Sequence, residues 1–169
     1  MRQVLIIGAG AQGNVVGWIL ARAPEVGRIV LADLDLRRAE ETARNLASDK
    51  VVAERADATQ VPQMAERMRR GEFDLVVNLA LPEFIPQVMR AALQAGRNYL
   101  DLSSVRCYEN DALPIEQLQD ADAWRASGRT AMINAGSAPG LTNVMARMGA
   151  DELDEVERIE IKDYSVMTS

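Results

Sequence analysis

A glycine-rich segment near the start of the chain has residue types and spacing that suit a nucleotide phosphate. Gly8, Gly10 and Gly13 follow the apolar run 4–7 and precede a stretch with helical apolar spacing. Glycines spaced in this way permit a tight turn, a close approach of the backbone to a pyrophosphate, and close packing of helix on strand. The free N–H groups and the positive dipole end of that helix would face the phosphates. The pattern therefore predicts dinucleotide binding.

An aspartate at the end of the second apolar run strengthens this prediction. Asp33 lies twenty positions after Gly13, where a carboxylate can accept hydrogen bonds from both ribose hydroxyls. A strand–helix turn without a ligand is the poorer alternative, because three glycines and a placed acid coincide. Arg37 and Arg38 could face a 2′-phosphate, but Asp33 would repel one. We therefore expect NAD or NADP as the cofactor, with NAD favoured.

The elements that must position these residues alternate along the chain. Strand-like runs occur at 3–7, 28–32, 51–55, 73–79, 98–102 and 130–134, with stretches of helical apolar period between them, the fifth of these at 110–127. The strands are apolar on both sides, as in a parallel sheet. Strict alternation with right-handed crossovers predicts an α/β fold, a Rossmann-type doubly wound parallel sheet with strand order 3-2-1-4-5-6.

Ligands of this fold lie beyond the carboxyl ends of the strands, and polar or glycine-rich segments occur there. Asp57, after the third strand, could bond an adenine amino group or serve equally well in a turn. Residues 78–82 follow the fourth strand, where backbone contacts are favoured over side-chain chemistry. Asp101 and Ser103 lie at the end of the fifth strand, either as a polar cluster facing the reacting end of a cofactor or as an N-cap-like turn. Residues 135–140 either let the backbone pass close to a ligand or form a simple Pro-Gly turn.

The composition excludes several functional classes. The chain has 169 residues, 48% of them hydrophobic and 26% charged, which fits one soluble globular domain. Its net charge of −6 argues against a nucleic-acid partner, and the apolar runs are too short for us to expect a membrane partner. We expect no signal peptide, because an apolar strand begins almost at the first residue, and we expect a reducing cytoplasm, which the single cysteine, Cys107, fits. The absence of histidine excludes Ser-His-Asp chemistry and histidine-based metal sites, and we expect no metal.

Four segments of the chain resemble a known family, namely residues 4–13, 31–40, 98–102 and 136–143. They are similar to the saccharopine dehydrogenase family, including its lysine 6-dehydrogenase-like branch, and the similarity covers nearly the whole chain. Its specific part is Gly-Ser-Ala-Pro-Gly-Leu in the last segment together with the upstream Tyr-Leu-Asp. The resemblance implies an NAD(P)-dependent oxidoreductase that acts at a C–N bond of an amino-acid-like small-molecule substrate, of the lysine or saccharopine type.

The resemblance also implies which residues contact the cofactor. Contacts are implied at Gly8, Gly10, Ala11, Gln12, Gly13, Asp33, Asp57, Asn78, Leu79, Ala80 and Leu81. Asp101, Ser103, Pro139 and Gly140 are implied to lie near the nicotinamide, in loops that we expect to be exposed. No acid–base residue is assigned. Without histidine that role falls to a carboxylate, lysine or tyrosine, and we expect it outside this chain.

Enzymes of this family continue into a second α/β domain that shapes the substrate pocket and commonly builds the dimer. We therefore expect residues 1–150 to form the dinucleotide-binding domain and residues 151–169 to begin a truncated second domain, with a strand at 156–161. The isolated chain should be nearly inactive, and the complete enzyme should be a homo-oligomer. Two alternatives stay open: a nucleotide-sensing module without catalysis, and an S-adenosylmethionine-dependent methyltransferase, which the GxGxxG spacing makes the weaker of the two.

Overall fold

The computed structural model describes residues 1–105 and 115–162. Its strands are β1 (Arg2–Ile7), β2 (Val26–Asp33), β3 (Val51–Arg55), β4 (Leu75–Asn78), β5 (Asn98–Asp101) and β6 (Ala131–Met132). Its α-helices are α1 (Ala11–Arg22), α2 (Leu36–Leu46), α3 (Val61–Arg70), α4 (Ile85–Gln94), α5 (Ala121–Ser127) and α6 (Leu141–Asp151). Two single 3₁₀ turns, Pro82–Phe84 and Glu116–Leu118, precede α4 and α5.

The six strands form one parallel sheet in the order β3-β2-β1-β4-β5-β6. This confirms the predicted fold class and strand order. The strand β1 is central, and its residue Ile6 pairs with Leu31 of β2 on one side and with Val77 of β4 on the other. Because the chain leaves β1 toward β2 first and later returns to β4, the order reverses beside β1, and ligands of open parallel sheets bind at this reversal.

Alternate residues of the sheet face two separate helical layers. Leu5 of β1 packs into a core cluster that contains Met68 of α3 and Val88 of α4. Its neighbour Ile6 packs into the other cluster, which contains Ala39 of α2. Side chains alternate across a strand, and both faces are covered, so an unbroken apolar run is the pattern that a buried parallel strand requires.

The last part of the sheet is shorter than predicted. The strand expected at 130–134 is paired only at Ala131 and Met132. The chain turns away at Asn134, whose φ of 60° is left-handed and cannot continue a strand. Within the predicted helical stretch 110–127, the described part forms a 3₁₀ turn and the helix α5, and residues 106–114, including Cys107, lie outside the described residues.

The strand predicted at 156–161 is wrong. Residues 153–162 of the described chain contain no helix or strand, and Val156, Ile159 and Ile161 are 39–56% exposed. Apolar alternation reports which side chains could face a core, whereas a strand also needs a neighbouring strand to receive its N–H and C=O groups. No described helix is both long and apolar enough to cross a membrane. The domain boundary at residue 150 stays a prediction.

Candidate dinucleotide site

The three glycines after β1 differ in what surrounds them. Gly8 has a φ of 102°, and a Cβ there would lie 2.7 Å from the carbonyl oxygen of Leu79. A Cβ on Gly13 would overlap the carbonyl oxygen of Gly8. A Cβ on Gly10 would meet nothing within 4 Å. Gly8 and Gly13 are therefore required by internal packing, while Gly10 faces open space, as a residue beneath a bound pyrophosphate must.

The peptide at Ala9 is held from both sides by polar side chains. Its N–H donates to Oδ2 of Asp33 at 2.9 Å, and its carbonyl oxygen accepts from Oγ1 of Thr42 at 2.9 Å. The other carboxylate oxygen of Asp33 accepts from the N–H of Asp35 at 2.9 Å. Asp33 therefore ties the glycine loop to the turn after β2, and each of its oxygens keeps a second lone pair for a ribose hydroxyl. The sequence analysis missed this role of Thr42. The feature that could have revealed it is a hydroxyl on an otherwise apolar helix face.

A cavity of about 330 Å³ opens above the carboxyl ends of β1, β2 and β4, and we call it the glycine-loop cavity. It brings together seven residues that the sequence predicted as cofactor contacts: Gly8, Gly10, Asp33, Asp57, Leu79, Ala80 and Leu81. The remaining lining residues are Ile7, Leu34, Arg38, Ala56, Ala58, Thr59 and Phe84. Of these, only Arg38 was considered from the sequence. Leu34 and Leu81 are more than half exposed, so the mouth is apolar and suits the faces of a planar base.

Asp57 takes the turn-forming role and also lines the glycine-loop cavity. Its Oδ1 accepts hydrogen bonds from both Oγ1 and the N–H of Thr59, at 2.7 and 2.9 Å. These bonds hold the pKa of the Asp57 carboxyl below its usual range, so it stays ionised at neutral pH. Arg37, by contrast, is 92% exposed and lies 3.8 Å from the Asp35 carboxylate. The cationic side chain at the cavity is therefore that of Arg38.

Four of the predicted contacts lie outside the lining of this cavity. Ala11 and Gln12 are exposed in the first turn of α1, and Gly13 is buried beneath the loop. Asn78 is only 2% exposed, and its Oδ1 accepts from the N–H of Ala80 at 3.2 Å. Asn78 therefore supports the cavity wall from beneath.

The expectation of an exposed loop at Asp101 is wrong. The side chain of Asp101 is fully buried. Its Oδ1 accepts from the N–H of Asn134 at 2.8 Å, and its Oδ2 accepts from Nε2 of Gln117 at 3.2 Å. The hydroxyl of Tyr99 faces this carboxylate and stabilises its ionised form. Burial raises the pKa of the Asp101 carboxyl, and these hydrogen bonds to its ionised form oppose that rise.

Sequence reasoning missed the partners of Asp101. Tyr99 and Asp101 are two residues apart on β5, a spacing that puts both side chains on one face of a strand; that spacing was the available signal. Gln117 carried no such signal, because its place beside β5 depends on the path of the chain. Ser103 is half-buried, and its carbonyl oxygen accepts from Nε2 of Gln117 at 2.7 Å.

Pro139 and Gly140 lie in a second groove of about 560 Å³, lined by residues 132–136, 139–141, 143 and 144, which we call the α6 groove. Gly140 has a φ of 130°, and a Cβ there would lie 2.7 Å from the carbonyl oxygen of Asn134. Asp101 and Ser103 line neither this groove nor the glycine-loop cavity. Residues predicted for the adenosine and pyrophosphate side of the site thus line the glycine-loop cavity. Residues of the 134–140 loop line the α6 groove instead.

Residues 4–132 match the family described as the saccharopine dehydrogenase NADP binding domain. The chain belongs to this saccharopine dehydrogenase family. It contains the NAD(P)-binding domain of saccharopine dehydrogenase-like oxidoreductases, so its cofactor is NAD or NADP. The domain has the Rossmann fold. The match of residues 4–132 confirms the family resemblance and the prediction of NAD or NADP as the cofactor, and it favours NAD(P) over S-adenosylmethionine. The preference for NAD stays a prediction. No group of three or more His, Cys, Asp or Glu side chains that could hold a metal occurs in the described ranges 1–105 and 115–162.

Two relatives of this family domain have names that refer to polyamines. The chain is 31% identical over 168 residues to a carboxyaminopropylagmatine dehydrogenase from Synechocystis sp., covering 96% of the chain and 42% of the relative. It is 30% identical over 179 residues to a carboxynorspermidine synthase from Vibrio cholerae, covering 96% of the chain and 43% of the relative. The chain therefore spans less than half the length of these relatives.

Solved structures show the same fold. Apo saccharopine dehydrogenase (L-Glu forming) from Saccharomyces cerevisiae superimposes with a TM-score of 0.72 at 24% identity, over 90% of this chain and 31% of the yeast chain. GenD2 from gentamicin A biosynthesis, in complex with NAD, superimposes with a TM-score of 0.59 at 19% identity, over 88% of this chain and 38% of GenD2. Both likenesses are evidence for the architecture.

We expect Asp101→Asn to alter the pH dependence of stability. In the folded chain the pKa of the Asp101 carboxyl is raised above its ordinary 3.8, so the folded state binds more protons than the unfolded state just above pH 3.8. The free energy of unfolding contributed by this group therefore falls as the pH rises from 3.8 through the folded pKa, and it is constant above that. Urea unfolding at a series of pH values should show a steeper fall for wild type than for Asp101→Asn.

The matched control is Asp122→Asn, which removes a carboxylate that is 98% exposed in α5. It should leave the wild-type pH dependence unchanged. Parallel pH profiles for wild type and Asp101→Asn would contradict the raised pKa.

Proposed function

We propose that the chain binds the dinucleotide across the carboxyl edge of the sheet, with its adenosine half in the glycine-loop cavity. The observation that carries this proposal is the convergence of an open Gly10, the Asp33 carboxylate and an apolar mouth at the point where the strand order reverses. The Asp33 carboxylate would accept the ribose hydroxyls, and the N-terminus of α1 would face the pyrophosphate. The nicotinamide half would then lie over β4, β5 and the 134–140 loop.

We further propose that the complete protein transfers hydride at a C–N bond. The bound nicotinamide supplies or accepts the hydride, and the protein supplies orientation and electrostatics. Residues 79–81 would form one wall of the reacting end, and the 134–140 loop would form the other and exclude water. The residues that line the α6 groove include no titratable side chain. We propose that proton transfer belongs to groups outside this groove, in the part of the protein that completes the substrate pocket.

For the substrate we propose a carboxylated di- or polyamine. The names of the two polyamine relatives, which match 96% of this chain, support this class. A substrate of the lysine or saccharopine type is the second candidate, supported by the family and by the likeness to the yeast enzyme. Both candidates combine an amine with a carboxylate, so in either case the second half of the pocket must recognise a zwitterionic molecule.

Gly10→Val tests the site directly. Gly10 has a φ of −77°, so valine is tolerated by the backbone, but its branched side chain would fill the open space in which the pyrophosphate is expected. We expect calorimetry to show at least about a tenfold loss of NADH affinity, with an unchanged circular dichroism spectrum. Gly149→Val is the control. An added Cβ on Gly149, in α6, also has nothing within 4 Å, and Gly149 lies far along the sequence from the residues that line the glycine-loop cavity. A folded Gly10→Val that binds NADH as tightly as wild type would refute the site.

The NAD preference is tested at Asp33 and Arg38. Wild type should bind NADH more tightly than NADPH, because Asp33 repels a 2′-phosphate. Arg38→Ala should weaken NADPH binding about tenfold and leave NADH binding within about twofold, since Arg38 is the arginine at the cavity. Asp33→Ala should narrow the preference while lowering both affinities, because it also releases Ala9 and Asp35.

The control for this series is Arg44→Ala, which removes an exposed arginine farther along α2. It should leave the ratio of the two affinities unchanged. A wild-type chain that binds NADPH more tightly than NADH would show that Arg38 outweighs Asp33.

The 169-residue chain should bind cofactor yet turn over carboxylated amines far more slowly than about 1 per second, the lower end of common enzyme rates. Rate acceleration requires a substrate held against the nicotinamide, and we assign most of that holding to residues outside this sequence. The assay follows NADH absorbance with a carboxylated polyamine and with saccharopine, first with this chain and then with the product of the complete reading frame. Turnover by the complete product separates an oxidoreductase from a sensing module, and rapid turnover by this chain would contradict the division of the site.

A further inference from the structure

A network of polar contacts runs beneath the carboxyl ends of the strands and joins the two cavities. The N–H of Ala80 donates to Oδ1 of Asn78 at 3.2 Å, and Nδ2 of Asn78 donates to the hydroxyl of Tyr99 at 3.1 Å. Tyr99 and Asp101 lie two residues apart on the same face of β5, so the Tyr99 hydroxyl faces the Asp101 carboxylate, which accepts from the N–H of Asn134 at 2.8 Å. Ala80 lines the glycine-loop cavity and Asn134 lines the α6 groove. Three hydrogen bonds and the contact between Tyr99 and Asp101 on β5 therefore connect the wall of one cavity to the wall of the other.

The side chains in the middle of this network are buried. Asn78 is 2% exposed, Tyr99 1% and Asp101 0%. Buried polar groups are costly to leave without partners, so a displacement at one end of such a network loses hydrogen bonds at the other. The network is thus able to hold its two ends at a constant separation.

Asp101 also fixes the backbone of the 134–140 loop. Its main-chain carbonyl oxygen accepts from the N–H of Ala135 at 2.9 Å, next to the bond between its side chain and the N–H of Asn134. Asn134 has a left-handed φ of 60°, a conformation that persists only where the surrounding contacts hold it. Gln117 clamps the other side, because its Nε2 donates to both the Asp101 carboxylate and the Ser103 carbonyl oxygen.

We propose that Tyr99 and Asp101 are positioning residues that hold the 134–140 loop in register with residues 79–81, so that the nicotinamide half of the dinucleotide is oriented between them. This inference rests on the proposed dinucleotide site. A dinucleotide extends from the first half of a doubly wound sheet to the second, so its adenosine end depends on β1 to β3 and its nicotinamide end on β4 to β6. Tyr99 and Asp101 act through the loop and the cavity wall, because their own side chains are buried away from both cavities.

The test compares two ligands that differ by the nicotinamide alone, NADH and ADP-ribose. Tyr99→Phe removes the hydroxyl and keeps the ring, whose centroid lies 6.3 Å from that of Trp124. Asp101→Asn keeps one acceptor oxygen and removes the charge. For both variants we expect calorimetry to show a loss of NADH affinity of about five- to tenfold, with ADP-ribose affinity within about twofold of wild type.

The matched control is Asn98, which lies at the amino end of the same strand, β5. The side chain of Asn98 bonds to the carbonyl oxygen of Asp74 and to the N–H of Thr130, at 3.0 and 3.1 Å. Asn98→Ala therefore removes hydrogen bonds from β5 to the segments on both sides of it, far from the proposed nicotinamide end. It should lower the melting temperature and leave the ratio of NADH to ADP-ribose affinity at its wild-type value.

The outcomes separate the inference from the proposed function. If Tyr99→Phe and Asp101→Asn lower the melting temperature but leave the affinity ratio at the wild-type value, the two residues are only structural and the inference is overturned. A wild type that binds both ligands equally well also overturns it, because the nicotinamide then makes no contact that the loop could control. Failure of wild type to bind either ligand refutes the proposed function itself. Should Asp101→Asn not fold, Tyr99→Phe decides the question alone.

Discussion

The contact on which the rest of the structure depends is the packing of backbone against backbone where β1 turns into α1. The carbonyl oxygen of Gly8 lies where a side chain on Gly13 would be, and Gly8 itself lies against Leu79 at the end of β4. This close approach lets the first turn of α1 lie directly over β1, with its free N–H groups at the carboxyl edge of the sheet. It also places the end of β4 beside the loop, so that residues 79–81 become a wall of the same cavity.

Carboxylates at the edge of the sheet act first as acceptors for the backbone. Asp33 holds the N–H groups of Ala9 and Asp35, Asp57 holds that of Thr59, and Asp101 holds that of Asn134. Hydrogen bonds to charged groups are stronger than those between neutral groups, and they help to order loops that have little apolar surface of their own. The positions expected to contact a ligand are therefore also those that shape its cavity, and substitutions there change shape and charge together.

The polar acceptors at the carboxyl ends of β1 to β3 differ in exposure from those at the ends of β4 to β6. On the side of β1 to β3 the acceptors are partly exposed and line the glycine-loop cavity directly. On the side of β4 to β6 the carboxylate and the tyrosine are buried beneath the surface, and the α6 groove is lined by glycine, apolar residues and two neutral asparagines, Asn134 and Asn143. The side of β1 to β3 can therefore contact a ligand through its polar side chains. On the side of β4 to β6 the buried polar groups instead hold the residues of the groove in place. This division agrees with a family in which one NAD(P)-binding domain occurs in enzymes whose names refer to different substrates.

The sequence by itself determined the alternation of strands and helices, the glycine loop and the place of Asp33, because each depends on local spacing. The strand order followed from the doubly wound fold that this alternation indicates. Apolar runs of strand length predict buried parallel strands, and Gly8, Gly10 and Gly13 have a pattern that few other structures need. Only the tertiary structure decided which polar residues face solvent. Asp101 ends β5 and Asp57 lies two residues after β3, yet one is fully buried and the other lines a cavity. The difference comes from Gln117 and Asn134, whose contacts with Asp101 span 16 and 33 residues of sequence. The strand expected at 156–161 failed for the same reason, since pairing depends on a neighbouring strand that local residue types do not specify.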